Sequence, residues 1–432
     1  MRLALFFCLW ATYLFSQEYV PLDTLDQDFR NKNKQIFAQK LMVLEQKIKG
    51  RVPLSASHEL HENLESFKDF FSKGIERGEY VYDSPFNEKI EEIYEEIHTA
   101  NPKVPKDFQL LLSRNISLNA YCFANGTMVV NLGTLHYLET EDQLAAIICH
   151  EIAHNLLKHS ENHILEGIQG RNAKGSRKEY RNLKRERYNR QKKAFEVLKE
   201  KLYNNSRKNR GQELEADSLG FVLLKNTRYK SSEMLKALEL SLQFDTVKPA
   251  DLDISVYKKI FDIPEQPFDE KWLDKEDFSK YDYVFEEKLS SDSISSHPEI
   301  TERIERLKQT FLDLRTFHVD SVAVSGNTDY DELNLRARKE LVPNLFYLKK
   351  YGFCVYLALY RIQQNFMVDY HKKWLGNAFG EIYKARKKYM ANKYIDRIDP
   401  ENQSESYQQF INFMWNLRLE EIHKIAEFYS KT

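Results

Sequence analysis

His150, Glu151 and His154 stand in the stretch IICHEIAH (147–154), which fits the pattern His-Glu-x-x-His. Two histidines at i and i+4 lie about 40° apart around a helix, so both imidazoles can reach one metal ion. The donor chemistry suits Zn2+, one ion per chain, which in catalytic sites takes three protein ligands and keeps a position for water. Glu151, one residue round from His150, is placed to hydrogen-bond that water, take its proton as general base and pass it to a leaving amine. On an ordinary helix the same five letters would mean little. Here they sit in the apolar run LAAIICHEIAHNLL, where two histidines and a glutamate are costly to bury without something to bind.

A third ligand has to come from elsewhere in the chain. A metzincin site would need glycine three residues past His154 and histidine six past it, but Leu157 and Ser160 hold those places. His159, five past His154, falls about 140° round a continuous helix and reads as a structural residue near the helix end. The better candidate lies in QELEAD (212–217). Glu213 and Asp217 share one helix face at i and i+4, and Ala216 permits close packing, while Glu215 points elsewhere. Glu213 would ligate the metal, and Asp217 would hydrogen-bond a ligating histidine and fix its tautomer.

Holding these residues takes two packed helices and an element that presents a substrate. Thr140-Glu141-Asp142-Gln143 matches the Ser/Thr-x-x-Glu/Gln capping pattern and predicts a helix to about His159. Residues 212–242 repeat an amphipathic helical pattern. Upstream, ISLNAYCF and MVVNL flank Asn125-Gly126, and an Asn-Gly dipeptide between two β-prone runs predicts a hairpin. Either 119–124, beginning at Asn119 and Ala120, or 127–131 would be an edge to which an extended polypeptide adds as a further strand.

Around this centre the chain divides. Residues 17–100 read as an N-terminal helical region, from Phe37, Leu41, Leu44 and Ile48 and from Phe67, Phe70, Phe71 and Ile75 at helical spacing. Residues 101–320 hold the motifs, with a basic insertion over 160–210 that reads as a solvated excursion or as a contact for anionic material. Residues 243–296 show no clear period, and a helix opens at Pro298. After a polar break, residues 333–432 are aromatic and helical, read as hairpins such as 343–366 paired with 369–390.

The 64 basic and 65 acidic residues leave a net charge of −1, so nucleic acid is not an expected partner. The opening MRLALFFCLWATYLFS places Arg2 before an apolar run that ends at a small residue, and reads as a cleaved signal peptide over 1–16, with an uncleaved N-terminal anchor as the alternative. The chain is thus expected to be exported, to the periplasm, the outer-membrane periphery or the medium, with no transmembrane segment in the mature form. Of the four cysteines, Cys8 leaves with that leader. Cys122, Cys149 and Cys354 read as small buried apolar residues.

Taken in order, NAYCFANGTMVVNLGTL (119–135), HEIAH (150–154), ELEAD (213–217) and His297-Pro298 followed by Arg303-Ile304 resemble four blocks of one family. This is the gluzincin zinc metallopeptidase family of the HtpX and CAAX prenyl protease type, and the likeness is to its soluble exported members of the BepA and LoiP kind. It covers about 120–305. The resemblance implies an α+β fold: a mainly helical zincin-type metalloprotease domain with a small β-hairpin or sheet beside the active-site helix, followed here by a C-terminal all-α region of helical hairpins. It implies that His150, His154 and Glu213 bind zinc, that Glu151 is the base, and that Asp217 and Arg303 stand behind the ligands. His297 is similar to a family histidine that stabilises the tetrahedral oxyanion or approaches the metal as a fourth ligand. Ala124-Asn125-Gly126 departs from the family's usual Pro-Gly-Gly, and the basic insertion is unusual for it.

The expected activity is hydrolysis of peptide bonds in unfolded or misassembled polypeptides, with the C-terminal helices recruiting substrate or an envelope-assembly partner. Two other functions fit the same residues: a latent protease domain, blocked by His297 and the 243–296 segment, that serves as chaperone or adaptor, and a zinc amidase of cell-wall peptides.

Overall fold

The computed structural model describes residues 19–22, 26–172, 209–246, 251–275, 300–315, 328–399 and 403–431. The leader read at 1–16, most of the basic insertion, and His297 with Pro298 lie outside the described residues.

Two long helices open the described chain, α1 (Gln27–Ile48) and α2 (Ser57–Glu76). The carboxylate of Asp26 accepts from the Phe29 N–H at 3.0 Å and caps α1. Phe37, Leu41, Leu44 and Ile48 of α1 meet Leu60, Leu64, Phe71 and Ile75 of α2, and the Phe37 and Phe71 rings stack with centroids 3.6 Å apart. Each such fully buried side chain contributes about 1.5–3 kcal/mol. Next come β1 (Tyr80–Val81), α3 (Ser84–Ala100), β2 (Gln109–Ser113), β3 (Ala120–Cys122) and β4 (Thr127–Asn131). The strands form one sheet in the order β1-β2-β4-β3. β2 runs parallel to β4, and the other pairs are antiparallel.

The expected hairpin is β3–β4, turned at Gly126 with a left-handed φ of 76°, where the Asn125 side chain accepts from the Thr127 N–H. Its two strands have different places in the sheet. β4 is interior, and β3 is the edge. Residues of β2 and β4 alternate between two helical layers: Leu112, Met128 and Val130 face α3 and the helices after the sheet, whereas Leu111 and Val129 face α1 and α2. Burial on both faces explains why the sequence there is continuously apolar rather than alternating.

The chain continues through α4 (Leu132–Tyr137), α5 (Glu141–Leu156) and α6 (His159–Asn172), a helix α7 over 209–225, and α8 (Glu233–Thr246). Thr140 Oγ1 accepts from the Gln143 N–H as the capping pattern predicts. The Gln143 side chain accepts from the N–H of Glu139 and donates to Glu233, tying the start of α5 to α8. α5 stops sooner than expected. Leu157 closes it, Lys158 turns left-handed with φ of 59°, and His159 begins a new helix.

Then follow α9 (Ile254–Phe261), α10 (Ile300–Thr310), α11 (Thr328–Tyr347), α12 (Tyr351–Gln363), α13 (Val368–Lys387), α14 (Glu405–Asn416) and α15 (Leu419–Ser430). α11 runs through Pro343, where the sequence suggested a helix start. The break comes instead at Leu348–Lys350, with Lys349 left-handed. α12 and α13 form the expected helical hairpin, and α13 packs along α15. Residues 251–275, read with the motif-bearing segment, join the C-terminal core: Tyr257, Phe261 and Trp272 all pack on Phe413. α11 links two cores, giving Tyr330, Leu333 and Ala337 to the one around α5 and Val342 and Leu345 to the C-terminal one. None of the described helices is long and apolar enough to cross a membrane.

Candidate active site

α5 and α7 lie side by side, and Gly220 sets how closely. A Cβ at Gly220 would stand 3.1 Å from the backbone N and Cα of His150, so a side chain there would push α7 off the histidine helix. With hydrogen in that place, Glu213 reaches both histidines. Its Oε2 lies 3.5 Å from His150 Nε2 and its Oε1 3.5 Å from His154 Nε2, and the two Nε2 atoms are 3.0 Å apart. Three donor atoms thus converge within 4.8 Å of one another. Two imidazole nitrogens and a carboxylate oxygen are a donor set that fits zinc.

The far sides of these side chains are held as well. His150 Nδ1 is 3.0 Å from Asp217 Oδ1, off the line of the ring N–H. Arg303, on α10, forks onto Asp217 with bonds of 2.7 and 2.6 Å, and its Nη1 lies 3.3 Å from Glu213 Oε2. Asp217 is 1 % exposed and Arg303 7 %, so this is a bidentate ion pair away from water. Behind His154 the arrangement differs from expectation. His159 was expected to face away, but the left-handed turn at Lys158 swings it back so that its Nδ1 lies 3.0 Å from His154 Nδ1. Its Nε2 meets Glu215 Oε2 at 3.2 Å. Glu215 does point away from the metal-binding face, and what it reaches is the partner of a candidate ligand.

Burial and neighbouring charge separate the titrations. Burial disfavours a charged imidazole at His150, but the carboxylates of Asp217 and Glu213 outweigh it and hold the proton up to about 10. His154 is pushed down to about 3, by burial first and then by the charge on His150. Asp217 pays for burial too, yet the Arg303 fork keeps it below the usual carboxylate range. Glu151 goes the other way: burial pushes it up to about 7.

Glu151 also touches the sheet. Its Oε2 accepts the Cys122 N–H at 3.1 Å, so the glutamate of the motif is fixed against the edge strand. The hydrogen-bonded pairs Asn119 with Asn131 and Phe123 with Thr127 turn the N–H and C=O of Ala120 and Cys122 outward from the sheet. Cys122 spends both, on Glu151 and on the Ser160 hydroxyl. Ala120 keeps its own toward the cleft. Asn119, the other residue singled out on this edge, has its backbone bound to Thr134 and Asn131, while both it and Ala120 line the cleft. That cleft holds about 480 Å3 and is lined also by His150, Glu151, His154, Glu213 and Arg303.

The described site residues the sequence pointed to are all brought to this cleft or to the side chains behind it. His297 is outside the described residues. Sequence reasoning missed the role of His159, the Glu151 contact with Cys122, and Gly220. Only the glycine carried a local signal, being a small residue one turn beyond Ala216 on the same helix. Cys149, next to His150, and Cys354 are fully buried without a disulfide partner, and Cys122, also a free thiol, is buried but for a small part of its surface.

No curated protein matches the chain. The family model described as peptidase family M48 matches residues 85–311, more than half of the chain, and that span contains the hairpin, both helices of the donor cluster and Arg303. The chain belongs to peptidase family M48, a family of zinc-dependent metallopeptidases.

Proposed function

We propose that this chain is an exported zinc endopeptidase that hydrolyses peptide bonds of unfolded or misassembled polypeptides, similar to the soluble exported members of its family. The observation that carries the reading is the convergence of His150, His154 and Glu213 beside a glutamate bonded to the edge strand. Zinc, when bound there, supplies Lewis acidity that brings the pKa of water near neutrality and polarises the peptide carbonyl.

The chain's own residues do the rest. An extended substrate segment adds to β3, exchanging backbone hydrogen bonds with Ala120 and so lying across the cleft. Glu151, raised to about 7 by burial, accepts a proton at its carboxylate near neutral pH and returns it to the amide nitrogen that leaves. Asp217 and His159 orient His150 and His154, and Arg303 steadies Asp217 and Glu213. His297 completes the set as an oxyanion donor or as a further ligand. Export rests on the leader-like residues 1–16, and the C-terminal helices are the proposed surface for a partner assembly.

Replacing Glu151 by Gln tests the mechanism. The variant should keep one zinc per chain by metal analysis and lose cleavage of unfolded casein by at least a hundredfold. A wild-type protein that takes up no zinc on reconstitution, or a variant as active as wild type, would overturn the assignment.

A further inference from the structure

Beside the metal cleft lies a second cavity of about 460 Å3, and His154 and Ser160 line both. Its exposed lining is mostly apolar, with Asn63, Asn125, His159, His163, Asn209 and Gln212 among its polar members. The cleft exposes Glu151, Glu213 and Arg303, but no described residue around the second cavity is Asp, Glu, Lys or Arg. Leu41, Leu64 and Phe67 form one wall, and Phe123, Ala124 and Ile164 the other. Phe67, Phe123 and Ile164 are only partly buried, so they present hydrocarbon surface that is still in contact with water. The size falls within the roughly 300–1,000 Å3 of sites that enclose small ligands or large side chains.

Two features connect this cavity to the reaction. Phe123 directly follows β3, so a polypeptide paired with Ala120 and continued along the edge passes the cavity mouth within about three residues, roughly 10 Å. The wall carried by α1 and α2 lies before residue 85, outside the span matched by the family.

We propose that this cavity is a specificity pocket that receives one large apolar or aromatic side chain of the polypeptide substrate, a fixed few residues from the scissile bond. The inference rests on the endopeptidase reading above. Burying such a side chain releases water from both surfaces, and no carboxylate, ammonium or guanidinium among the described lining residues would pair with a charged one. Apolar residues of that size are hidden in folded proteins and exposed in unfolded ones, so the pocket would itself select unfolded chains.

The test uses the zinc-loaded full chain, cut sites in denatured casein mapped by mass spectrometry, and two peptides that differ by Phe or Ala at the enriched position. Wild type should show one position enriched in Phe, Leu, Met, Tyr or Trp, and a Phe-to-Ala ratio in kcat/KM of at least tenfold. Ile164→Trp, which fills the pocket, should bring that ratio below threefold while leaving zinc content and cleavage of the Ala peptide unchanged. Phe67→Trp, on the opposite wall, should do the same, so a folding defect in one variant leaves the other to decide. Cleavage with no enriched position, or a ratio that survives both substitutions, overturns the pocket alone. A protein that cuts nothing when loaded with zinc overturns the endopeptidase reading and the pocket with it.

Discussion

The ion pair of Arg303 and Asp217 invites a double-mutant cycle. Both charges are almost wholly buried and joined by two short bonds, and Arg303 also approaches Glu213 at 3.3 Å. Arg303→Met keeps the unbranched apolar stem of the side chain but leaves Asp217 buried with the oblique His150 contact opposite it among the described residues. Breaking one side of such a pair costs about 3–5 kcal/mol. Asp217→Leu strands the guanidinium in the same way. The double substitution leaves neither charge alone, and should cost less than the sum of the singles by about 2–3 kcal/mol. Because the chain has several cores, hydrogen exchange of the α5 amides in EDTA is the suitable readout, since it reports the opening of this region. The same variants should bind zinc about 10–100-fold more weakly than wild type, as ligands lose their supports. Additive single effects, within about 0.5 kcal/mol, would refute the claim that the two side chains act as a unit.

Three further outcomes follow from particular contacts. Gly220→Val should separate α7 from α5 and weaken zinc binding by at least about tenfold in competition with a chelator, and Gly220→Ala should do so less, since its Cβ meets the His150 backbone at 3.1 Å. His159→Phe preserves the bulk but not the contact with His154 Nδ1, and about a 10–100-fold fall in zinc affinity is expected from the same competition. His371 is fully buried on α13 and burial depresses it to about 4, so it titrates below its unfolded value of about 6.5. Its contribution is complete above that value and is lost as pH falls from about 6.5 toward 4, because the unfolded chain takes the proton first. Urea unfolding of the C-terminal core should therefore lose about 2 kcal/mol between pH 7 and pH 5 on this account, and His371→Gln should flatten that slope.

How legible this site was in the sequence depended on whether its geometry was local. Asn125-Gly126 and Thr140 with Gln143 each act over a few residues, and they turned the hairpin and opened α5 as their types require. Glu213 and Asp217 could be paired because four residues on a helix mean one face. The sheet order was beyond such reasoning. An apolar run at 110–112 shows that a strand is buried on both sides, but not that its partner is the parallel β4 rather than β3. Residues 251–275 likewise carry no mark of the distant helices whose core they join.

His159 shows the limit most clearly. Its assignment away from His154 rested on 100° per residue, which holds only while the helix is unbroken. The break falls at Lys158, a residue type that rarely turns left-handed and so announces nothing, whereas glycine or asparagine there would have suggested a helix end. What stabilises the turn is at its far side: His159 settles between His154 and Glu215, and Ser160 bonds the Cys122 carbonyl of the edge strand. The turn thus joins the donor cluster, the α7 helix and the strand that would carry the substrate. A Lys158→Gly substitution relieves the left-handed strain without touching any of those bonds, so it should leave zinc affinity unchanged and raise stability by up to about 1 kcal/mol. A loss of zinc affinity in that variant would mean that Lys158 itself, and not the contacts of its neighbours, holds the turn.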